Sequence, residues 1–384
     1  LVEAGELGER VFRAERFEAQ HLHGARRLST ALDVELADMV LLSADDGLLE
    51  LDLGRAVYLD TETTGLAGGA GTTVFMVGMG SWKEAAQGLR PEFEVWQGFL
   101  RDPGAEAALL EEVAQRVRGS GGLVSFFGKS FDRHRLEDRM RMHGVAPPFE
   151  DVPHLDLYHP LRRLYGHVFR DGRLRTMEFE LSGLEREDDL PGSLAPAAWY
   201  DYLRGRPHQL EGVFRHNLDD VLSLVTLAGH LGSVRRGVDS EGESLAGPPE
   251  CRTRAIGRAL LDARERPEGI AWMERYLDEA PDGRATREER WWLADALRLE
   301  GEVDRAVVVM EGLVGSGRDV LAVRALRGLS MIREHAVHDV PAAWECARAG
   351  LELVREIALA GGSSSLEADL VRRTQRLSAA APTE

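Results

Sequence analysis

Apolar and polar residues follow two rhythms along the chain, and the change from one to the other falls near residue 240. From Arg55, the run Val57-Tyr58-Leu59 leads into Asp60-Thr61-Glu62 and a turn bearing Gly65, Gly68, Gly69 and Gly71, after which Thr72 to Met79 is again apolar. Two such runs around a short glycine loop predict a β-hairpin, the glycines making a tight turn. Phe93 to Phe99 predicts a third strand, Glu106 to Val117 a helix with apolar residues at helical spacing, and Leu123 to Phe127 a short buried strand. Ser130 to Met142 predicts a helix capped by Ser130, and Leu210 to Leu231 a strongly amphipathic helix. The block from Val152 to Arg215 carries Pro153, Pro160, Pro191, Pro196 and Pro207 and has little periodic signal. Residues 1–50 form an extension without a legible role, apart from an apolar patch, Val34 to Leu42, that predicts a helix.

Residues 238–250 are polar and carry Gly and Pro, which predicts a linker between a domain at 51–237 and another at 251–384. Everything beyond the linker has a helical pattern. Similar segments begin at Ala271, Ala306 and Ala343, about 35 residues apart, and Trp291 to Leu297 followed by Gly301 fits a helix-turn-helix repeat of the tetratricopeptide (TPR) kind. A protein partner for this region is an accompanying expectation. Trp272, Trp291 and Trp292, at helical spacing, are expected to belong to the core.

Length and composition agree with two cores: the chain has 384 residues, of which 43% are hydrophobic. No apolar run has the length of a membrane-spanning helix, so no membrane association is expected. Cys251 and Cys346 are too few for a disulfide framework, and no signal-peptide pattern stands at Leu1, so a cytoplasmic location is expected. A net charge of −18 argues against broad electrostatic coating of nucleic acid, though not against nucleic acid as a substrate held at a local metal cluster.

The chemistry concentrates at three places. Residues i and i+2 of a strand share a face, so Asp60 and Glu62 point the same way, and two like charges that close call for a divalent cation with hard oxygen ligands. Asp132 follows a buried strand at a helix start, in Phe126-Phe127-Gly128-Lys129-Ser130-Phe131-Asp132. His216 and Asp220 stand four apart on the amphipathic helix and share a face with Val213 and Leu224, while Asp219 is turned about 100° away. Gly122 and Gly128-Lys129-Ser130 do not make a phosphate-binding P-loop, because five residues separate the glycines and they are bulky and strand-like.

This ordered set, Asp-Thr-Glu-Thr-Thr-Gly, then Gly-Lys-Ser-Phe-Asp, then His-x3-Asp, resembles the DEDD exonuclease superfamily of the ribonuclease H-like fold, and within it the YprB-type ribonuclease H-like proteins. The resemblance implies an α/β domain with a mixed sheet and flanking helices, followed by an all-α, TPR-like domain. It further implies a 3′→5′ exonuclease acting on DNA or RNA, with Asp60, Glu62, Asp132 and Asp220 binding two Mg²⁺ or Mn²⁺ ions. His216 is the candidate general base, and Thr63, Lys129 and Arg162 are candidate substrate contacts. Two departures stand out: His216 occupies the spacing that related enzymes give to tyrosine, and Phe127 stands where Asn is frequent. Asp156 is a further acid in the region, for which a turn or salt-bridge role is expected. A structure-specific endonuclease on the same fold, or a non-catalytic adaptor using the helical repeats, are the alternative functions.

Overall fold

The structure, a computed structural model, describes residues 2–5, 8–65, 71–83, 91–187, 190–280, 286–358 and 364–380. The chain divides into two compact units, Leu1–Cys251 and Arg252–Glu384. The first is α/β. Its seven-stranded sheet contains β1 (Val2–Gly5), β2 (Gly8–Glu18), β5 (Val57–Thr63), β6 (Val74–Lys83), β7 (Glu92–Phe99), β8 (Leu123–Ser125) and β9 (His154–Asp156), in the order β1-β2-β7-β6-β5-β8-β9. A two-stranded ribbon, β3 (Leu22–His23) with β4 (Arg26–Arg27), lies outside it.

β5 and β6 are antiparallel, as the two apolar runs predict, and β5, β8 and β9 run parallel to one another. The glycines expected to turn between β5 and β6 include Gly68 and Gly69, which lie outside the described residues. β5 and β6 are buried almost throughout, because helices pack against the sheet. These helices include α1 (Leu36–Ser43), α2 (Glu106–Arg118), α3 (Asp132–Met142), α4 (Tyr158–Tyr165), the short α5 (Leu174–Met177), α6 (Ala195–Leu203) and α7 (Leu210–Leu231). Phe75 of β6 stacks on Trp199 of α6 at 5.4 Å, and the Trp199 indole donates to the Leu100 carbonyl.

Several sequence expectations change. Residues 8–18 form a long strand, paired antiparallel with β7 from Val11↔Phe99 to Glu18↔Glu92. Residues 238–245 fold back on the first unit: Asp239 accepts a hydrogen bond from Arg26 at 3.0 Å, and Leu245 is buried. The strand expected to reach Phe127 stops at Ser125, because Phe127 takes a left-handed backbone conformation, φ 63°. Helix α3 begins at Asp132 with Phe131 at its N-cap, and no side chain caps it, so the capping role expected of Ser130 is not taken.

The second unit is all helical: α8 (Pro249–Asp262, which starts just before the unit boundary), α9 (Arg266–Glu279), α10 (Arg287–Leu299), α11 (Val303–Gly315), α12 (Val320–His335), α13 (Val340–Ala358) and α14 (Ser364–Ala380). From α9 onward each helix packs on the next in sequence. Ala306 and Ala343 are fully buried where helices meet, whereas Ala271 is exposed. Trp291 and Trp292 pack against the core with part of their surface open, and Arg258 lies 4.3 Å from the Trp292 ring centre. No helix among the described residues is long and apolar enough to cross a membrane.

Candidate active site

Asp60 and Glu62 sit on β5, the strand between β6 and β8, in the interior of the sheet. Asp60 is partly accessible, while Glu62 and Asp132 are buried. Asp132, at the first turn of α3, accepts a short hydrogen bond from the Thr61 hydroxyl. Loss of water around Asp60, followed by the charges of Asp220, Asp132 and Glu62, pushes its carboxyl well above the ordinary carboxylate range. Asp132 is pushed up to about 6 by burial, against the Thr61 hydrogen bond and its own backbone N–H, with the Asp156 and Asp220 charges adding to the rise. Four acids from β5, α3 and α7 therefore share one electrostatic neighbourhood.

A row across the sheet supports Asp60. In register, Asp60 stands opposite Gly78, and Gly78 opposite Gln97. Asn217 of α7 enters the space over Gly78, donates to Asp60 Oδ2 at 2.8 Å, and accepts from Gln97 Nε2 at 2.9 Å on its own carbonyl oxygen. A Cβ on Gly78 would fall 2.3 Å from Asn217 Oδ1, and one on Gly80 would fall 2.7 Å from Val221. Two glycines two apart on β6 thus let two α7 residues four apart lie directly on the strand.

On the other side of Asp220 stands Arg186, whose side chain is only 4% exposed. It contacts Asp220 Oδ1 and Glu178 closely, and its Nη1 lies 3.2 Å from His216 Nδ1. Glu178 opens a π-helical turn, Glu178–Ser182, a widening of the helix that recurs at functional sites. Burial and the Asp220 charge hold the Glu178 carboxyl above its usual range, against Arg186 and the Ser223 hydrogen bond. His216 Nε2 is 3.6 Å from Asp220 Oδ2.

The candidate substrate contacts have other partners. Lys129 Nζ bonds Asp45 Oδ2 at 2.8 Å, Thr63 Oγ1 donates to the Gly65 carbonyl at 3.2 Å, and Arg162 donates to the Tyr158 hydroxyl. Asp156 clasps the loop after β8, accepting from the N–H groups of Phe127 at 2.7 Å and Lys129 at 3.1 Å, and from that of Tyr158. Asn217, Gln97, Glu178 and Arg186 were not anticipated. A polar Asn217 on the apolar face shared by Val213 and Val221 was a signal for the first, and the alternation of Gly78 and Gly80 with bulky residues was another.

Among the described residues, no three His, Cys, Asp or Glu side chains close on one point as they stand. The donor set nevertheless fits a hard divalent cation. Asp60, Glu62 and Asp132 offer only oxygen, with no thiolate among them, and their mutual repulsion is what a cation relieves.

The RNase_H superfamily model RNase_H_2 matches residues 57–232. A protein of Bacillus subtilis (strain 168), named "Uncharacterized protein YprB", is 28% identical over 349 residues, which span 89% of this chain and 80% of the relative. The matched span opens on the first residue of β5 and ends one residue past α7, so it contains all four acids as well as Asn217 and Arg186. Residues 57–232 are a domain of the RNase_H superfamily.

Proposed function

We propose that this chain is a divalent-metal-dependent nuclease that hydrolyses phosphodiester bonds of DNA or RNA, working as a 3′→5′ exonuclease. The observation that carries the reading is Asp60, whose carboxyl is raised by lost hydration and by the charges of three neighbouring acids. Gathering acids in this way is unfavourable unless a cation joins them. Exonucleolytic attack rests on the resemblance to DEDD enzymes, whose acidic positions match Asp60, Glu62, Asp132 and Asp220.

Asp60, Glu62 and Asp132 are the residues that would hold Mg²⁺ or Mn²⁺. Bound there, the metal supplies an activated water and charge stabilisation at the phosphoryl oxygens. The protein's own residues prepare the geometry. Asn217 fixes one oxygen of Asp60, and Thr61 fixes one oxygen of Asp132, so each carboxylate presents a defined orientation before substrate arrives. Packing of Asn217 and Val221 onto the two glycines of β6 holds α7, and with it Asp220, against the same strands.

The test is the purified full chain on end-labelled linear and on circular DNA and RNA, with Mg²⁺, Mn²⁺ or chelator, beside Asp60→Asn. Shortening of linear substrates from the 3′ end is expected. Chelation should abolish it, and Asp60→Asn should lower it by about 10³-fold, the scale of one lost electrostatic contact at a transition state. Cleaved circles would show an endonuclease instead. Inertness towards every substrate with either metal would favour the adaptor.

A further inference from the structure

A guanidinium has five N–H donors, no acceptor, and a charge it does not lose. Arg186 directs this fork at Glu178, Asp220 and His216, among its partners. Asp220 consequently has a resident counter-ion, delivered by a side chain that is itself almost wholly buried. The contact also decides the state of the histidine. Because arginine can only donate, His216 Nδ1 must accept, and the ring proton of neutral His216 sits on Nε2, the atom facing Asp220. In this arrangement His216 has no lone pair left with which to take a proton from water.

Resting on the nuclease reading above, we propose that Arg186 is the fixed cation of the Asp220 side of the site. It is a positioning residue that holds Asp220 and His216 and stands in for a second metal ion, so that the site binds one divalent ion, through Asp60, Glu62 and Asp132. The two halves of the acid cluster then have different counter-charges. Asp220 and Glu178 share a covalently attached one, and the β5 and α3 acids await an exchangeable one. This narrows the two-ion expectation drawn from the family resemblance, and it moves His216 from proton acceptor to hydrogen-bond donor.

The deciding experiment counts ions on the full chain. Chelator-stripped protein is titrated with Mn²⁺ alone, and the disappearance of the free Mn²⁺ electron paramagnetic resonance signal gives stoichiometry and affinity without any nuclease assay. One ion per chain is expected. Asp220→Asn should keep that ion with affinity changed less than threefold, Asp60→Asn should lose it, and Arg186→Gln should admit a second ion beside Asp220 and Glu178. Two ions in the unaltered protein, or a tenfold weaker ion in Asp220→Asn, would overturn the assignment while leaving the nuclease reading intact. No ion at all would sink both. If Arg186→Gln does not fold, the unaltered protein and Asp220→Asn still decide the matter.

Discussion

Gly78 has no side chain, and the Asp60 site depends on that. Asn217 occupies the volume a Cβ would fill and reaches both Asp60 and Gln97 from there. Gly78→Ala places a methyl group 2.3 Å from Asn217 Oδ1, so either α7 lifts or Asn217 turns away. Overpacking of this kind is typically worth about 1–3 kcal/mol of stability. A lowered melting temperature and weakened Mn²⁺ binding should appear together in Gly78→Ala, and unchanged values in both would show that Asn217 is not held in this way. At this scale the sequence told half the story. Asp60, Glu62, Asp132 and Asp220 carry a spacing signal, because each lies in a short motif. The partners of those acids do not: Arg186 comes from a proline-rich block without periodicity, and Gln97 is separated from Asn217 by 120 positions.

Elements whose period matched their burial were legible, and those whose pattern was local or polar were not. β5, β6, α2 and α7 are buried mostly through apolar residues, so their runs could be read directly. β2 has Arg13, Glu15, Arg16 and Glu18 interleaved with apolar residues, and pairing with its neighbours, chiefly β7, reveals it as a strand, through pairs such as Arg16 with Glu94 at 2.9 Å. β9 has three residues, too few for any period. In the helical unit, α10 begins with a capping box: Thr286 accepts from the Glu288 N–H at 3.2 Å, and Glu289 accepts from the Thr286 N–H at 2.9 Å. Glu289 is also buried and paired with Arg254 at 2.6 Å. Thr286→Ala should lower the stability of the helical unit by about 1 kcal/mol. Chemical denaturation followed by helical circular dichroism would measure it, and a change below a few tenths of that value would mean the Glu289 contacts suffice.

For the whole molecule, acid stability follows from two buried histidines of the first unit. Burial, aided by the Arg186 and His21 charges, lowers His23 from 6.5 to about 3. Burial, aided by Lys129 and Arg133, does the same to His154. The unfolded chain binds these protons below 6.5 while the folded one refuses them until about 3. The contribution is therefore complete above 6.5 and is lost as pH falls through that window, by up to about 1.4 kcal/mol per pH unit for each ring. Raised Asp60 and Asp132 act in the opposite sense, so the comparison should be internal. His154→Asn, with Ser125 still available as its partner, should flatten the fall in melting temperature between pH 6.5 and 4.5, and an unaltered slope would remove His154 from the account.

The outer side of β2 has a consequence for how copies of the molecule behave towards each other. β1 pairs with β2 only from Gly8 to Val11, and among the described residues no strand covers Phe12–Glu18 on the side away from β7. Seven residues of open edge would ordinarily recruit the same edge of another copy, but the net charge of −18 on each chain repels that neighbour. This protection is ionic, so it weakens as the screening length shrinks from about 10 Å at 0.1 M salt to about 3 Å at 1 M. Colloidal stability should decline with salt at constant temperature, and light scattering should detect self-association at 1 M NaCl. Ala14→Pro, which puts a residue without an N–H into that edge, should delay its onset, and an unchanged onset would show that this edge is not the contact.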